Sequence, residues 1–160
     1  MQIDDVKYIA RYYKAIPEML HLLNRERLAL ESQYSGLCGV GMDGMPHSSS
    51  VGRQTEALGL RAAEDGTGER LAEIDAQRQI LLEDSAAIRG CLDALNGKYK
   101  QVILFRYVHG YSWTQIAVRM NTPDRTVRNW HDRALERLGE TLEQSQGVDS
   151  LVVRAARARA

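Results

Sequence analysis

Long apolar runs, paired cysteines, clustered histidines and net charge are all missing from this chain of 160 residues, and each absence removes a class of function. No stretch approaches the roughly 20 consecutive apolar residues that span a bilayer. The opening MQIDDVKYIA carries acids where a secretory signal carries bases, so no membrane partner and a cytoplasmic location are expected. Cys38 and Cys91 stand far apart, outside any metal-type or redox-type pair, which fits two incidental thiols in a reducing compartment. His21, His47, His109 and His131 are dispersed, with no Cys or acid at ligand spacing, so neither metal nor cofactor is expected. The glycines of residues 36–44 lack the Lys-Ser/Thr that completes a phosphate loop, and no nucleophile has an evident base. The adjacent acids Asp4–Asp5 and Glu83–Asp84 diverge on helices rather than converge, so an enzyme is not expected.

The formal net charge of zero conceals a division. Residues 1–95 carry 10 Lys/Arg against 15 Asp/Glu, whereas residues 96–160 carry 11 against 6. Only the C-terminal part would be drawn to a polyanion, unless the excess is simply a basic tail. At 44% hydrophobic the chain suffices for one or two small domains.

The hydrophobic pattern is helical throughout and predicts an all-α protein. Over residues 4–34, Ile9, Tyr13, Ile16, Leu20, Leu23, Leu30 and Tyr34 recur mostly at steps of four and three, with Pro17 expected to kink or restart the helix near Ile16. Leu71, Ile74, Leu81, Ile88, Leu92 and Leu95 draw a second narrow stripe over residues 68–95, with Arg78 and Ser85 as polar exceptions. Two such stripes bury each other in a coiled-coil-like hairpin, within one chain or across a dimer. Between them SGLCGVGMDGMPHSSSVG, residues 35–52, has the composition of a mobile loop, and residues 53–64 of a short helix. Residues 143–160, ending VVRAARARA, read as a flexible basic tail.

From Asn96 to about residue 142 three helices with marked ends follow. Lys98–Val108 offers Val102, Ile103, Phe105, Tyr107 and Val108 to a core and stops at His109-Gly110. Ser112 caps the second helix, Trp113–Met120, whose Ile116, Ala117 and Met120 share a face. Asn121 suits a left-handed turn, Thr122 is placed to cap the third helix, and Pro123 to begin it. Val127, Trp130, Ala134, Leu135 and Leu138 point inward, which leaves Arg125, Thr126, Arg128, Asn129 and Asp132 outward. Trp113 and Trp130 fit a core-anchoring role better than base stacking.

The stretch GYSWTQIAVRMNTPDRTVRNWHDRALERL resembles the helix-turn-helix of the fourth conserved region of bacterial sigma factors, with its G-x-S-x-x-x-I-A, its turn, and T-V-[basic] followed by R-A-L-x-x-L. Asn121 stands where that family usually has Gly, and Pro123 where it often has a capping Ser. The order of N-terminal helix, GMPH at residues 44–47, second helix and this motif is similar to small prophage regulators of the RinA/ArpU kind. That likeness implies a phage-type transcription regulator in a bacterial host cell. A complete sigma factor is not expected, because residues 1–95 are acidic and hold neither Trp nor Phe to grip a melted strand.

A major groove about 12 Å wide admits one helix, where Arg grips guanine and Asn grips adenine through paired bonds. Arg125, Thr126, Arg128 and Asn129 are therefore the expected base-reading residues on a helix over 123–140, with Lys100, Ser112, Thr114, Arg119 and Arg133 on phosphates. Double-stranded DNA is the expected partner. The N-terminal hairpin would serve a homodimer or RNA polymerase, since one motif of this size rarely suffices for tight binding. A phage small-terminase-like packaging protein, which joins a similar motif to an oligomerising segment, is the alternative from another class.

Overall fold

The computed structural model describes residues 1–38, 66–145 and 147–158. All regular structure among them is helical: α1 (Ile3–Cys38), α2 (Thr67–Asp93), α3 (Gly97–Ile103) continued by a π-helical turn (Leu104–Val108), α4 (Trp113–Arg119), α5 (Asp124–Glu143) and α6 (Val148–Arg157). The all-α expectation holds. Most of the expected loop 35–52 and all of the short helix 53–64 lie outside the described residues, while residues 35–38 extend α1. Pro17 sits inside α1 without ending it, contrary to a restart at Ile16.

The chain divides into two compact units, Met1–Pro17 with Leu81–Ala160, and Glu18–Ile80. The start of α1 and the end of α2 thus cluster with the helix-turn-helix.

In the second unit α1 and α2 run antiparallel and meet through charge as much as through apolar packing. Ile74 is fully buried. Beside it Arg70 Nε donates to Glu26 at 2.8 Å, and Arg27 Nη1 lies 3.3 Å from Asp75. Leu22 and Leu28 remain exposed there.

In the first unit the buried face of α1 is wider than the narrow stripe its sequence suggests. Val6, Ile9, Ala10, Tyr12 and Ile16 are buried, and Tyr13 is only half-buried. A two-helix seam needs only steps of three and four, but this segment meets more than one neighbour. Toward α2, Tyr12 donates to Asp84. Toward α5, Val6 packs so closely on Gly139 that a Cβ at that glycine would lie 3.3 Å from the valine methyl. A larger residue at 139 would hold the helices apart.

Asp84 is the polar centre of this unit. Its side chain is 5% exposed, accepts from Tyr12 Oη at 2.9 Å, and takes Arg154 Nε at 2.8 Å and Nη2 at 2.5 Å. Burial and the bond to Asp84 push the Tyr12 hydroxyl far above its ordinary value, so it stays a donor. Residues 148–157, expected to fray, are helical for the same reason. Leu151 and Ala155 are buried on one face of α6, and Arg154 between them reaches a carboxylate 70 positions earlier in the chain. Burying a carboxylate is tolerable only with such partners.

Replacing Arg154 by Met should cost about 3 kcal/mol, the low end for breaking a buried ion pair because Arg154 is partly solvated. Urea denaturation checks this, and adding Asp84→Leu to Arg154→Met should recover much of the loss.

Candidate nucleic-acid interface

The C-terminal motif is assembled from short helices with well-defined ends. Asn96 Oδ1 accepts from the Lys98 amide at 3.3 Å and caps α3. The helix expected to run as one α segment to Val108 instead widens into a π turn, with the His109 amide bonded to the Leu104 carbonyl at 3.0 Å. Gly110 then takes φ +72°, the left-handed conformation assigned to it from sequence.

Ser112 caps α4 as expected, and through a reciprocal pair. Its Oγ accepts from the Gln115 amide at 3.3 Å, while Gln115 Oε1 accepts from the Ser112 amide at 2.9 Å. Asn121 takes the left-handed turn with φ 48°. The start of the third helix needs correction. Thr122 does not cap it, because its hydroxyl donates to the Met120 carbonyl at 2.9 Å. Pro123 is the cap rather than the first helical residue, its carbonyl accepts the Thr126 and Val127 amides, and α5 runs from Asp124 to Glu143 instead of 123–140. Proline has no side-chain acceptor, so Asp124 supplies the negative charge favoured in a first turn.

Three fully buried aliphatics, Val102 of α3, Ile116 of α4 and Val127 of α5, hold the motif together, with Phe105, Tyr111, Trp113, Ala117, Met120 and Trp130 packed around them. Val127, Ala134, Leu135 and Leu138 are buried as expected. Trp130 is half-buried, and Lys98 lies over its ring. His131, next to it, is the residue that goes inward.

Arg125, Arg128 and Asn129 are exposed on α5, and Thr126 is half-buried. Arg125 makes no ion pair with any described residue. Arg128 is braced: its Nε donates to Asp124 Oδ2 at 2.9 Å, and its guanidinium carbon lies 5.5 Å from the centre of the Trp113 ring. Of the residues expected at phosphates, Ser112, Thr114, Arg119 and Arg133 are exposed. Arg119 lies against the Tyr111 ring, 4.3 Å from its centre. Lys100 is held elsewhere, its ammonium bonded to Asp93 at the end of α2.

Two residues stand out here that the sequence did not mark. Arg106, in the π turn, lies 4.5 Å from the Trp113 ring centre and donates to the Tyr111 carbonyl at 3.0 Å. His131 is 7% exposed and sits between Tyr107 Oη, 3.1 Å from Nε2, and Asp132 Oδ1, 3.1 Å from Nδ1, with Trp113 edge-on at 4.9 Å. Asp132 can only accept, so neutral His131 donates from Nδ1 and accepts a hydrogen bond from the Tyr107 hydroxyl at Nε2. Burial lowers its pKa, and Asp132 offsets part of that effect. No group of three or more metal-ligating side chains occurs among the described residues, and no described helix is long and apolar enough to cross a membrane.

These helices form a helix-turn-helix. Residues 85–138 match the family Sigma-70, region 4, so the likeness begins within α2 and stops inside α5. No curated protein and no solved structure matches the chain.

The depressed pKa of His131 has a consequence for stability. An unfolded histidine binds a proton near pH 6.5, whereas the folded one resists it, so stability should be full above that pH and fall as pH drops below it. Urea midpoints measured from pH 7.5 to pH 5 should show this slope in the unaltered protein, and His131→Gln should flatten it.

Proposed function

We propose that this protein is a sequence-specific transcription regulator of phage or prophage type that reads the major groove through α5. The observation that carries the proposal is the joint exposure of Arg125, Arg128 and Asn129 on one side of a helix whose opposite side is anchored by Val127 against Ile116 and Val102. A forked cation and an amide within about one turn match the acceptor and donor edges of guanine and adenine, enough for about three to five base pairs. Ser112, Thr114, Arg119 and Arg133 lie on the same two helices and suit phosphates, which fix position without reading sequence. Lys100 is the weakest of the phosphate candidates, since Asp93 already neutralises it.

The match to Sigma-70, region 4 supports both DNA and RNA polymerase as partners. A second copy is the natural source of a second half-site, and Leu22, Leu28 and Ile80 offer exposed apolar surface for it. The chain acts by binding rather than catalysis, in the cytoplasm of a bacterial host cell.

Selection from a random duplex pool should return a defined site. Arg128→Ala should then lose about 1–3 kcal/mol on that duplex and little on a scrambled one. Arg133→Ala should weaken both alike and reduce the salt dependence. Equal losses on the two duplexes for Arg128→Ala, measured by titration at fixed salt, would remove its base-reading role.

A further inference from the structure

We infer that Trp113, together with Asp124, is a positioning residue for DNA readout: the pair holds the Arg128 guanidinium so that its two terminal nitrogens stay available to the groove. The inference rests on the base-reading role proposed for Arg128.

An exposed arginine on a helix ordinarily samples many rotamers, and binding must select one of them. Arg128 is constrained from two sides. Asp124, one turn earlier on α5, takes only its Nε, at 2.9 Å. The Trp113 indole of α4 lies 5.5 Å from the guanidinium carbon, within range of a cation–π contact. The indole is itself fixed, packed on Val102, Ile116 and Val127, met edge-on by His131 and approached by Arg106. The outcome differs from that at Arg154, where Nε and Nη2 are both given to Asp84. There the fork is consumed; at Arg128 the terminal amino groups that grip guanine O6 and N7 are left over. Arg125 has neither brace, so the two cations of the same face differ in readiness.

The test is a set of double-mutant cycles on the full chain, using the duplex selected by the unaltered protein and a scrambled duplex. Trp113→Leu is expected to weaken binding to the selected duplex by about tenfold, within the range for losing one paired base contact, with a much smaller effect on the scrambled one. Trp113→Phe should restore most of that loss. In an Arg128→Ala background Trp113→Leu should cost nothing further, whereas in an Arg125→Ala background its full cost should persist. Additivity with Arg128→Ala, or equal coupling to both arginines, would overturn the inference and leave Trp113 as packing alone. If Trp113→Leu fails to fold, Asp124→Ala replaces it in the same cycles, with the same expectation and the same overturning result. Failure of the unaltered protein to select any duplex would instead remove the proposed function, and this inference with it.

Discussion

The motif depends on a very small apolar contact, the meeting of Val102, Ile116 and Val127 where α3, α4 and α5 converge. Three short side chains with no exposed surface fix how α5 lies across α4, and so determine which side of α5 remains open. Everything polar about the interface follows from that angle. Arg128 reaches Trp113 because α4 crosses beneath it, and His131 is driven inward, where it meets Tyr107 and Trp113. The ring of half-buried aromatics around the three aliphatics then gives Lys98, Arg106, Arg119 and Arg128 flat surfaces to lie on. Lys98, Arg106 and Arg119 are held by π faces and pair with no acid among the described residues, whereas Arg128 shares its Nε with Asp124.

A polar centre organises other helices of the same unit. Asp84, with Tyr12 and Arg154, ties together three helices far apart in sequence: the beginning of α1, the end of α2 and α6. Such a network adds little or nothing over a well-packed apolar replacement but penalises every arrangement in which one partner is missing. That penalty makes the placement of α6 specific.

How much of this could be read from the amino-acid sequence depends on how local the cause is. The cap at Ser112, the left-handed Asn121 and Gly110, and the inward Val127, Ala134, Leu135 and Leu138 each follow from neighbours within a few positions, and the structure shows them. The Asp124–Arg128 pair is likewise local, four positions apart on one helix. What failed was non-local. Nothing near Asp84 announces a partner at Arg154, which lies in a stretch whose composition is that of a loose tail. The π turn at Leu104–Val108 has no distinct sequence pattern, so neither the approach of Arg106 to Trp113 nor the Tyr107–His131 bond follows from an α-helical reading. Proline is where local rules carry least: α1 does not restart at Pro17, and Pro123 caps α5 through its backbone carbonyl rather than opening the helix as its first residue.

The anchoring of α6 bears on what the smallest working fragment of this protein can be. Trimming the chain at residue 138, where the recognisable family likeness stops, would discard Arg154, the ion-pair partner of Asp84, together with the buried Leu151 and Ala155 of α6. The compact unit that contains the helix-turn-helix therefore extends through α6 to Arg157 and includes the first turns of α1.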